Sequence, residues 1–334
     1  MGVGCFRGHL GNKIRISPAK GAIQAAGRRF HDAQNHSSTR AFVLHATAPA
    51  PMTKPLISVA TPSFRSSEWL KLCIASVADQ EGVAFEHIVQ DACSDDGTLD
   101  WLPQDSRVQA FVEKDAGMYD AINRAWRKSQ GDIVCYLNCD EQFLPGTLQT
   151  VARYFAEHPD VDILFGDAIV IGPDGSYRFH RKMLTPQLAH TQTCHLATLS
   201  CAMFARRRVL DEHGIWFNTE FRNNGDAVWV IDLLKKGLKT AVLRQFLSVF
   251  TDTGSNMSTN ATGAREQKII QSKAPRWVQV LRPWWILAHR IRRYLNGIYS
   301  QEPFSYDIYT SASPTRRVHF EAKNPTYRWR LQPA

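Results

Sequence analysis

Residues 113–141 read EKDAGMYDAINRAWRKSQGDIVCYLNCDE, and this stretch decides the fold. The segment from about Met118 to Ser129 predicts a helix, and the apolar run IVCYL at 133–137 predicts a buried strand. Asp140 and Glu141 follow that strand directly. A helix that leads into a buried strand is one repeating unit of an alternating α/β chain.

The same alternation extends toward the N-terminus. Strands are predicted at LISVA (56–60), FEHIVQ (85–90) and VQAFVE (108–113). A helix is predicted around residues 70–77, where apolar residues recur at i, i+3, i+4 and i+7. Strands and helices at this spacing predict an α/β fold with a mainly parallel, Rossmann-like sheet flanked by helices. Such sheets bind their ligands at the carboxyl ends of the strands.

Carboxylates follow three successive strands of this predicted sheet. They are Asp91, Asp115, and the pair Asp140 and Glu141. A single Asp after a strand is usually a turn or helix-cap residue, and that structural interpretation stays open for each of them. Clustered anions repel one another, however, and normally need a cation or a bound partner. The pattern therefore predicts a ligand or metal site at this edge of the sheet.

The next part of the chain is predicted to complete the domain. A helix is expected from Thr147 to Glu157, and a hairpin around the PDG turn at 173–175. Further elements are a strand at 197–205, a helix starting at Asp226 and a strand at 240–250. We expect one domain over residues 52–262 and a basic amphipathic extension over 263–334.

Composition and charge limit the function classes. With 334 residues, 44% of them hydrophobic, the chain can bury a sizeable core, which excludes disorder of the whole. The net charge of +9 arises in the two ends, with seven basic and one acidic residue in 1–51 and thirteen basic and four acidic in 264–334. The centre is acidic, so we expect no nucleic-acid partner.

Cysteine use and hydropathy indicate the compartment. Seven cysteines without CxxC spacing indicate a reducing, cytoplasmic setting without structural zinc. No run of about 18 apolar residues predicts a membrane-spanning helix. Residues 1–51 are expected to be a disordered leader or not native. They are either a basic leader similar to a transit peptide or sequence upstream of a natural start at Met52.

The segment RWVQVLRPWWILAHRIRRYLNGIYS (276–300) has apolar residues at helical spacing with arginines among them. A cationic, Trp-rich amphipathic helix suits the interface of an anionic membrane. The alternative is a helix that packs on the domain and keeps its arginines in water. Pro283 would kink either version. The first interpretation predicts a peripheral protein at the inner face of the membrane.

Five motifs together resemble the inverting family 2 glycosyltransferases, which have the GT-A fold. They are PLISVATPSF, IVQDACSDDGT, EKDAGMYDAINRAWRKSQGD, CYLNCDE and NNGDAVWVIDLLKKG, in the family's order over about residues 55–258. The resemblance implies a hexosyltransferase-type enzyme. Its donor would be a nucleotide-diphosphate sugar, a UDP-sugar in our expectation. Its acceptor would be a carbohydrate or lipid-linked glycan in polysaccharide biosynthesis.

The resemblance also implies a set of donor-binding residues. Thr61, Pro62 and Ser63 would lie beside the nucleobase. Asp91 would accept the imide N–H of uracil, which a carboxylate does well. Its alternative role is an Asx-turn that holds the loop after the strand. Asp115 would contact the base or the sugar.

A metal site is implied at Cys139, Asp140 and Glu141, which take the place of the family's DxD-type motif. A divalent cation, Mn²⁺ or Mg²⁺, would bridge the carboxylates and the donor diphosphate. Glu141 stands where the family usually has Asp, which puts geometry and metal preference in question. Gly117 would let the backbone approach the ligand.

Asp226, in NNGDAVWV, matches the family's catalytic base, which takes the proton of the acceptor hydroxyl. Its structural alternative is a helix N-cap. His195 matches a family histidine that would touch diphosphate or acceptor, and a structural histidine is the equal alternative.

Two other functions compete with this interpretation. A sugar nucleotidyltransferase would carry a Gly-rich basic loop after the first strand, and TPSFRSSEW lacks one. A noncatalytic membrane- or nucleic-acid-binding protein would use the basic ends, and the acidic centre argues against it as the main role.

Overall fold

The computed structural model describes residues 57–254 and 261–328, to which every structural statement below refers. The predictions for residues 1–51 lie outside this part of the chain. Within it, no helix combines the length and the hydropathy needed to cross a membrane.

The first part of the fold is a parallel sheet with helical crossovers. Its elements are β1 (Ile57–Ser63), α1 (Ser67–Ala78), β2 (Phe85–Asp91), α2 (Thr98–Trp101), β3 (Gln109–Val112), α3 (Met118–Lys128) and β4 (Ile133–Tyr136). The strands lie in the order β3-β2-β1-β4, and each neighbouring pair is parallel. The carboxyl ends of these four strands therefore meet at one edge, as the sequence predicts.

The second part extends this sheet and adds antiparallel pairs. Its elements are β5 (Glu141–Phe143), α4 (Thr147–Glu157), β6 (Ile163–Ile171), β7 (Tyr177–Arg181), α5 (Leu188–Thr193), β8 (Met203–Arg206), α6 (Arg208–Asp211), α7 (Gly225–Lys235) and β9 (Thr240–Thr251). The path continues from β4 through β8, β6 and β9 to β5, with β7 paired to β6. β6 and β9 are parallel, whereas β8, β5 and β7 pair antiparallel.

An aromatic cluster locks α3 and α7 onto the sheet. The rings of Trp126 and Phe217 stack with centroids 5.2 Å apart, and Trp229 lies 5.3 Å from Phe217 and 6.1 Å from Trp126. Trp126 and Trp229 are almost fully buried. Buried aromatic side chains dominate core energetics, so this cluster holds the two helices that flank the site in fixed positions.

The predicted α/β architecture is confirmed. The helix Thr147–Glu157 has the predicted bounds, and the hairpin around 173–175 is present as β6 and β7. The segment 197–205 differs, because residues Ser200–Ala202 form a 3₁₀ turn and the strand starts only at Met203. The three-residue edge strand β5 was not predicted, since so short a strand has no readable alternation.

In the C-terminal region, the single amphipathic helix predicted over 276–300 is divided into two helices, and a β-hairpin that was not predicted follows. The elements of this region are α8 (Ala261–Ser272), α9 (Arg276–Val280), α10 (Arg282–Leu295), β10 (Phe304–Thr310) and β11 (Ser313–Ala322). Tyr306 and Ile308 of the hairpin are buried in a cluster with Ile169 of β6. Gln142 Nε2 donates to the Tyr309 carbonyl at 2.9 Å. The hairpin is therefore packed on the sheet that carries the site.

Candidate active site

A cavity of about 1040 Å³, here called the donor cavity, opens at the carboxyl ends of the parallel strands. The predicted site residues in its wall are Pro62, Ser63, Asp115, Gly117, Asp140 and Asp226. A volume of this size accommodates a large small-molecule ligand. Its position is the ligand-binding edge of an open α/β sheet.

Asn138 and Asp140 line the donor cavity together, two residues apart after β4. The Oδ1 atom of Asn138 is buried and has no hydrogen-bond partner among the described residues. Sequence reasoning centred the metal motif on Asp140 and Glu141 and did not assign Asn138 a role. The LN(x)D spacing in CYLNCDE was the signal that could have identified it.

Glu141, the first residue of β5, is fully buried and does not line the donor cavity. Its Oε2 accepts the Asn138 backbone N–H at 2.8 Å, and its Oε1 has no partner in the described chain. Burial raises the pKa of both Asp140 and Glu141, and the charge of Asp140 raises that of Glu141 further. Two neighbouring buried carboxyls retain protons unless a cation offsets their charge. Hard oxygen ligands of this kind fit Mg²⁺ or Mn²⁺.

Asp91 and Thr61 are buried and do not belong to the cavity wall. Asp91 Oδ1 accepts the Ser94 backbone N–H at 2.7 Å, and Oδ2 accepts the Ser63 hydroxyl at 2.7 Å. This geometry favours the turn-holding alternative for Asp91, and a direct contact with uracil stays a prediction. Thr61 Oγ1 lies 2.9 Å from His87 Nε2, within the core. Asp91 thus holds Ser63, which does line the cavity.

Asp115 and Gly117 line the donor cavity from the segment between β3 and α3. Asp115 Oδ1 accepts the Gly117 backbone N–H at 2.8 Å, and burial raises the pKa of Asp115. Gly117 has a φ of 117°, and a Cβ there would collide with the guanidinium of Arg222. The positive φ favours glycine at this turn, while the exposed Arg222 side chain could move away from a Cβ.

Asp226 lies in the first turn of α7, in the wall of the donor cavity. Its Oδ1 accepts the Ala227 N–H at 2.7 Å and lies 3.4 Å from the Tyr119 hydroxyl. Burial raises the pKa of Asp226 to about 6. The N-cap of α7 is Asn224, so the structure does not give Asp226 the capping role. A carboxylate with this pKa is ionised at neutral pH and is a stronger base than an exposed one.

Glu266 holds the segment that precedes Asp226, and sequence reasoning missed it. Its carboxylate accepts the backbone N–H groups of residues 222, 223 and 224 at 2.7, 3.0 and 2.9 Å. Glu266 is 6% exposed and lies on α8. No motif marks this residue, because the contact joins segments more than forty residues apart.

His195 lies in a second cavity of about 760 Å³, here called the side cavity. Asp226 lines both cavities, so the two meet at the predicted base. His195 is absent from the wall of the donor cavity. This position fits the predicted contact of His195 with the acceptor. It does not support the alternative contact of His195 with a diphosphate in the donor cavity.

Three histidines come together at the side cavity: His190, His195 and His289. Their ring nitrogens lie within 4.8 Å of one another, and burial lowers the pKa of all three. The rings of His190 and His289 stack with centroids 4.0 Å apart and planes at 20°. A metal lies in the plane of each imidazole that binds it, at about 2 Å. The ring planes of His190 and His289 are nearly parallel, so they do not intersect within about 2 Å of both rings. One ion therefore cannot lie in both planes at bonding distance, and this arrangement does not suit a metal.

Comparison with known proteins agrees with this geometry. The sequence model described as glycosyl transferase family 2 matches residues 58–214. The putative teichuronic acid biosynthesis glycosyltransferase TuaG of Bacillus subtilis is 26% identical over 212 residues, which cover 62% of this chain and 83% of the relative. A PGL/p-HBAD biosynthesis glycosyltransferase of Mycobacterium bovis is 28% identical over 149 residues, covering 42% of this chain and 58% of the relative.

A solved structure shares the fold. The crystal structure of TarS residues 1–349 from Staphylococcus aureus, in complex with UDP-GlcNAc, superposes with a TM-score of 0.53 at 19% identity. The superposition covers 72% of each chain. This likeness confirms the GT-A fold that the motifs imply. Residues 58–214 are therefore a glycosyl transferase family 2 domain, and this enzyme is a glycosyltransferase.

Proposed function

We propose that this enzyme transfers a sugar, with inversion, from a nucleotide-diphosphate donor to a glycan or lipid-linked glycan acceptor. The observation that carries the proposal is the position of Asp226, a base at the junction of two cavities. One of those cavities has a carboxylate and amide set suited to a cation. The other is open beside the base.

In this proposal the donor occupies the cavity at the strand ends. The nucleoside lies against Pro62, Ser63 and Asp115, and Gly117 lets the backbone approach it. We expect uracil as the base, and the complex of TarS with UDP-GlcNAc supports a UDP-sugar. Asp140, with Asn138 beside it and Glu141 behind it, would hold Mn²⁺ or Mg²⁺. That cation would neutralise charge on the leaving nucleotide diphosphate.

The reaction is a single displacement at the anomeric carbon. The acceptor hydroxyl oxygen forms a bond to that carbon on the side opposite the diphosphate. The bond between the carbon and the phosphate oxygen breaks, and the nucleotide diphosphate leaves with the electron pair. Asp226 accepts the hydroxyl proton, which a carboxylate with a pKa of about 6 can do at neutral pH.

The acceptor class rests on the relatives and on one surface of this chain. TuaG is named for teichuronic acid and TarS for poly(ribitol-phosphate), which supports a role in surface polysaccharide biosynthesis. Helices α9 and α10 expose an apolar surface, here called the outer face. It consists of Trp277, Val280, Leu281, Trp284, Leu287, Ile291, Tyr294 and Leu295, each 43–77% exposed.

We propose that the outer face contacts an anionic membrane surface. The side of α10 that faces the domain is polar, since His289 is buried and Arg292 donates to Thr185. This is the reverse of a helix that packs its apolar stripe on a core. Exposed Arg276 and Arg282 lie beside the outer face and would attract anionic lipids. The enzyme would then work at the cytoplasmic face of a membrane, close to a lipid-linked acceptor.

The test is a panel of UDP-, GDP- and dTDP-sugars with Mn²⁺, scored for nucleotide release with and without glycan acceptors. We expect release of UDP from one UDP-sugar, stimulated by an acceptor and lost in Asp140→Asn. Absence of release from every sugar nucleotide would contradict the proposal. Release of pyrophosphate from a nucleoside triphosphate and a sugar 1-phosphate would instead indicate a nucleotidyltransferase.

A further inference from the structure

The side cavity carries charges mainly of one sign. Its wall, over the described residues, contains the cations Arg181, Lys182, Arg293 and Arg328 and a single acid, Asp226. Like charges in a partly enclosed space raise one another's electrostatic free energy, because water screens them less there. An arrangement of this kind is stabilised by an anion.

Neutral groups hold Lys182 and Arg293 in position, and one also contacts Arg181. Lys182 Nζ donates to the Ser300 carbonyl, and Arg181 Nη1 to the Tyr327 carbonyl, both at 2.6 Å. The Arg293 guanidinium lies over the rings of Tyr299 and Tyr327, at 4.9 and 5.7 Å. Carbonyls and aromatic rings orient a cation without cancelling its charge. Burial and the neighbouring Arg293 lower the pKa of Arg181 to about 10, as expected where positive charges accumulate.

The acidic residues nearby do not relieve this accumulation. Asp167 acts electrostatically on Lys182, but its carboxylate pairs with Arg244 at 2.8 Å. Asp226 lines the donor cavity as well, as does Arg181, so these two charges are shared between the cavities. The imidazoles of His195 and His289 add neutral N–H groups, because burial lowers their pKa. Neutral imidazole N–H and guanidinium groups are suitable donors to an oxyanion.

We propose that the side cavity is the acceptor subsite and that it selects an acceptor bearing an oxyanion, either a phosphate or a carboxylate. This inference rests on the function proposed above. An acceptor whose anionic group contacts Lys182 and Arg293, the cations that line only the side cavity, would present a neighbouring hydroxyl to Asp226. The donor diphosphate belongs to the other cavity, where Asp140 and Asn138 lie. Each cavity would then bind one substrate, with the base between them.

The test measures binding of three defined tetrasaccharides to the full-length protein in the presence of UDP and Mn²⁺ at constant ionic strength. They are maltotetraose, maltotetraose carrying one phosphate, and tetragalacturonate, so that the arms separate a neutral, a phosphate and a carboxylate ligand. The variants are Lys182→Gln and Arg293→Gln. Arg153→Gln, on the exposed side of α4, removes the same charge outside the cavity and is the matched control.

We expect at least one anionic tetrasaccharide to bind more tightly than maltotetraose. Each cavity variant should weaken that binding about tenfold, the effect of one lost charge-assisted hydrogen bond. Arg153→Gln should bind as the parent does. Arg328→Gln alters an exposed side chain, so the variant should fold. It should also weaken binding of the anionic tetrasaccharide, and it tests the inference if Lys182→Gln or Arg293→Gln fails to fold.

Two results would overturn the inference. One is equal affinity for the neutral and both anionic ligands. The other is parental affinity for the anionic ligand in all three cavity variants. A parent protein that binds no UDP would instead overturn the proposed function, so the two failures are distinguishable.

Discussion

Asp226 gains its chemistry from its surroundings. The residue lies in the first turn of α7, but Asn224 is the N-cap and Glu266 accepts the neighbouring N–H groups. Its carboxylate is therefore available to a substrate at the rim of both cavities. Tyr119, which is itself buried in the aromatic core, lies 3.4 Å from Asp226 Oδ1 and fixes one of its oxygens. The sequence identifies the residue, whereas only the packing explains its raised pKa.

The raised pKa of Asp226 predicts a pH-dependent stability difference. Folding raises this pKa from 3.8 to about 6, so the contribution of the group to stability is fully present below about pH 3.8 and is lost as the pH rises through about 6. Asp226→Asn removes this loss. The melting temperature of the variant relative to the parent should therefore increase between about pH 5 and about pH 8. Differential scanning fluorimetry checks it, with exposed Asp211→Asn as the control, and a constant difference would contradict the buried-carboxylate interpretation.

The residues around Asp140 predict metal-dependent donor binding. Asp140→Asn and Glu141→Gln each remove a carboxylate without much change in volume, and Asn138→Ala removes a buried amide oxygen without a partner in the described chain, from a residue that lines the cavity. Each should weaken UDP binding in Mn²⁺ by about tenfold or more, equivalent to about 1.4 kcal/mol. Titration calorimetry with and without Mn²⁺ measures this. If all three variants bind UDP as the parent does, these are turn residues and the metal proposal fails.

At the scale of elements, α8 and α7 form a unit that positions Asp226, the proposed base. Glu266 of α8 accepts three consecutive N–H groups at the start of α7. The contact stabilises a helix N-terminus, where negative charge is favourable. It also ties the C-terminal region to the catalytic domain, although the predicted boundary at 262 and 263 would separate them.

Glu266→Gln should lower both stability and turnover. The variant replaces hydrogen bonds to a charged acceptor, and we expect a loss of about 1.5–3 kcal/mol in the free energy of unfolding. Turnover should fall because Asp226 is less well fixed, while UDP affinity changes little. Chemical denaturation and nucleotide release check both effects. Exposed Glu212→Gln is the matched control, and equal stability of the two variants would contradict the role of Glu266.

The outer face of α9 and α10 predicts membrane binding that single substitutions can remove. Leu287→Glu and Leu295→Glu should abolish sedimentation with anionic vesicles, because each places a negative charge in the apolar surface. The fold should be retained, since both side chains are exposed. Val112→Glu alters an exposed apolar residue elsewhere and is the control. Vesicle binding that persists in both outer-face variants would refute the membrane proposal.

Point variants test the membrane proposal more directly than a truncation that removes residues 275–334. Such a truncation would also remove the β10–β11 hairpin, whose Tyr306 and Ile308 are buried. It would break the ion pair between Arg317 and Asp79, at 2.6 Å. Loss of buried apolar contacts destabilises a domain by several kcal/mol, so a truncated chain would report unfolding rather than membrane affinity.

For the whole molecule, local patterns predicted the succession of helices and strands along the chain. They did not predict the contacts that these elements make with segments distant in sequence. The helix Thr147–Glu157 and the strands that end near Asp91 and Asp140 follow from periodicity alone. Glu266 and the β10–β11 hairpin do not, because their roles depend on contacts with segments distant in sequence. The motifs place Asp115 and Asp226 at the site. They could not show that the Asp91 carboxylate already accepts hydrogen bonds from Ser63 and Ser94.

The central claim is that Asp226 is the base at the junction of the donor and side cavities. The most direct test compares UDP affinity and nucleotide release from the preferred sugar nucleotide for the parent and Asp226→Asn. A general base acts on the acceptor proton in the transition state, so turnover should fall by about 10² or more while UDP affinity stays near the parental value. Parental turnover in Asp226→Asn would contradict the account.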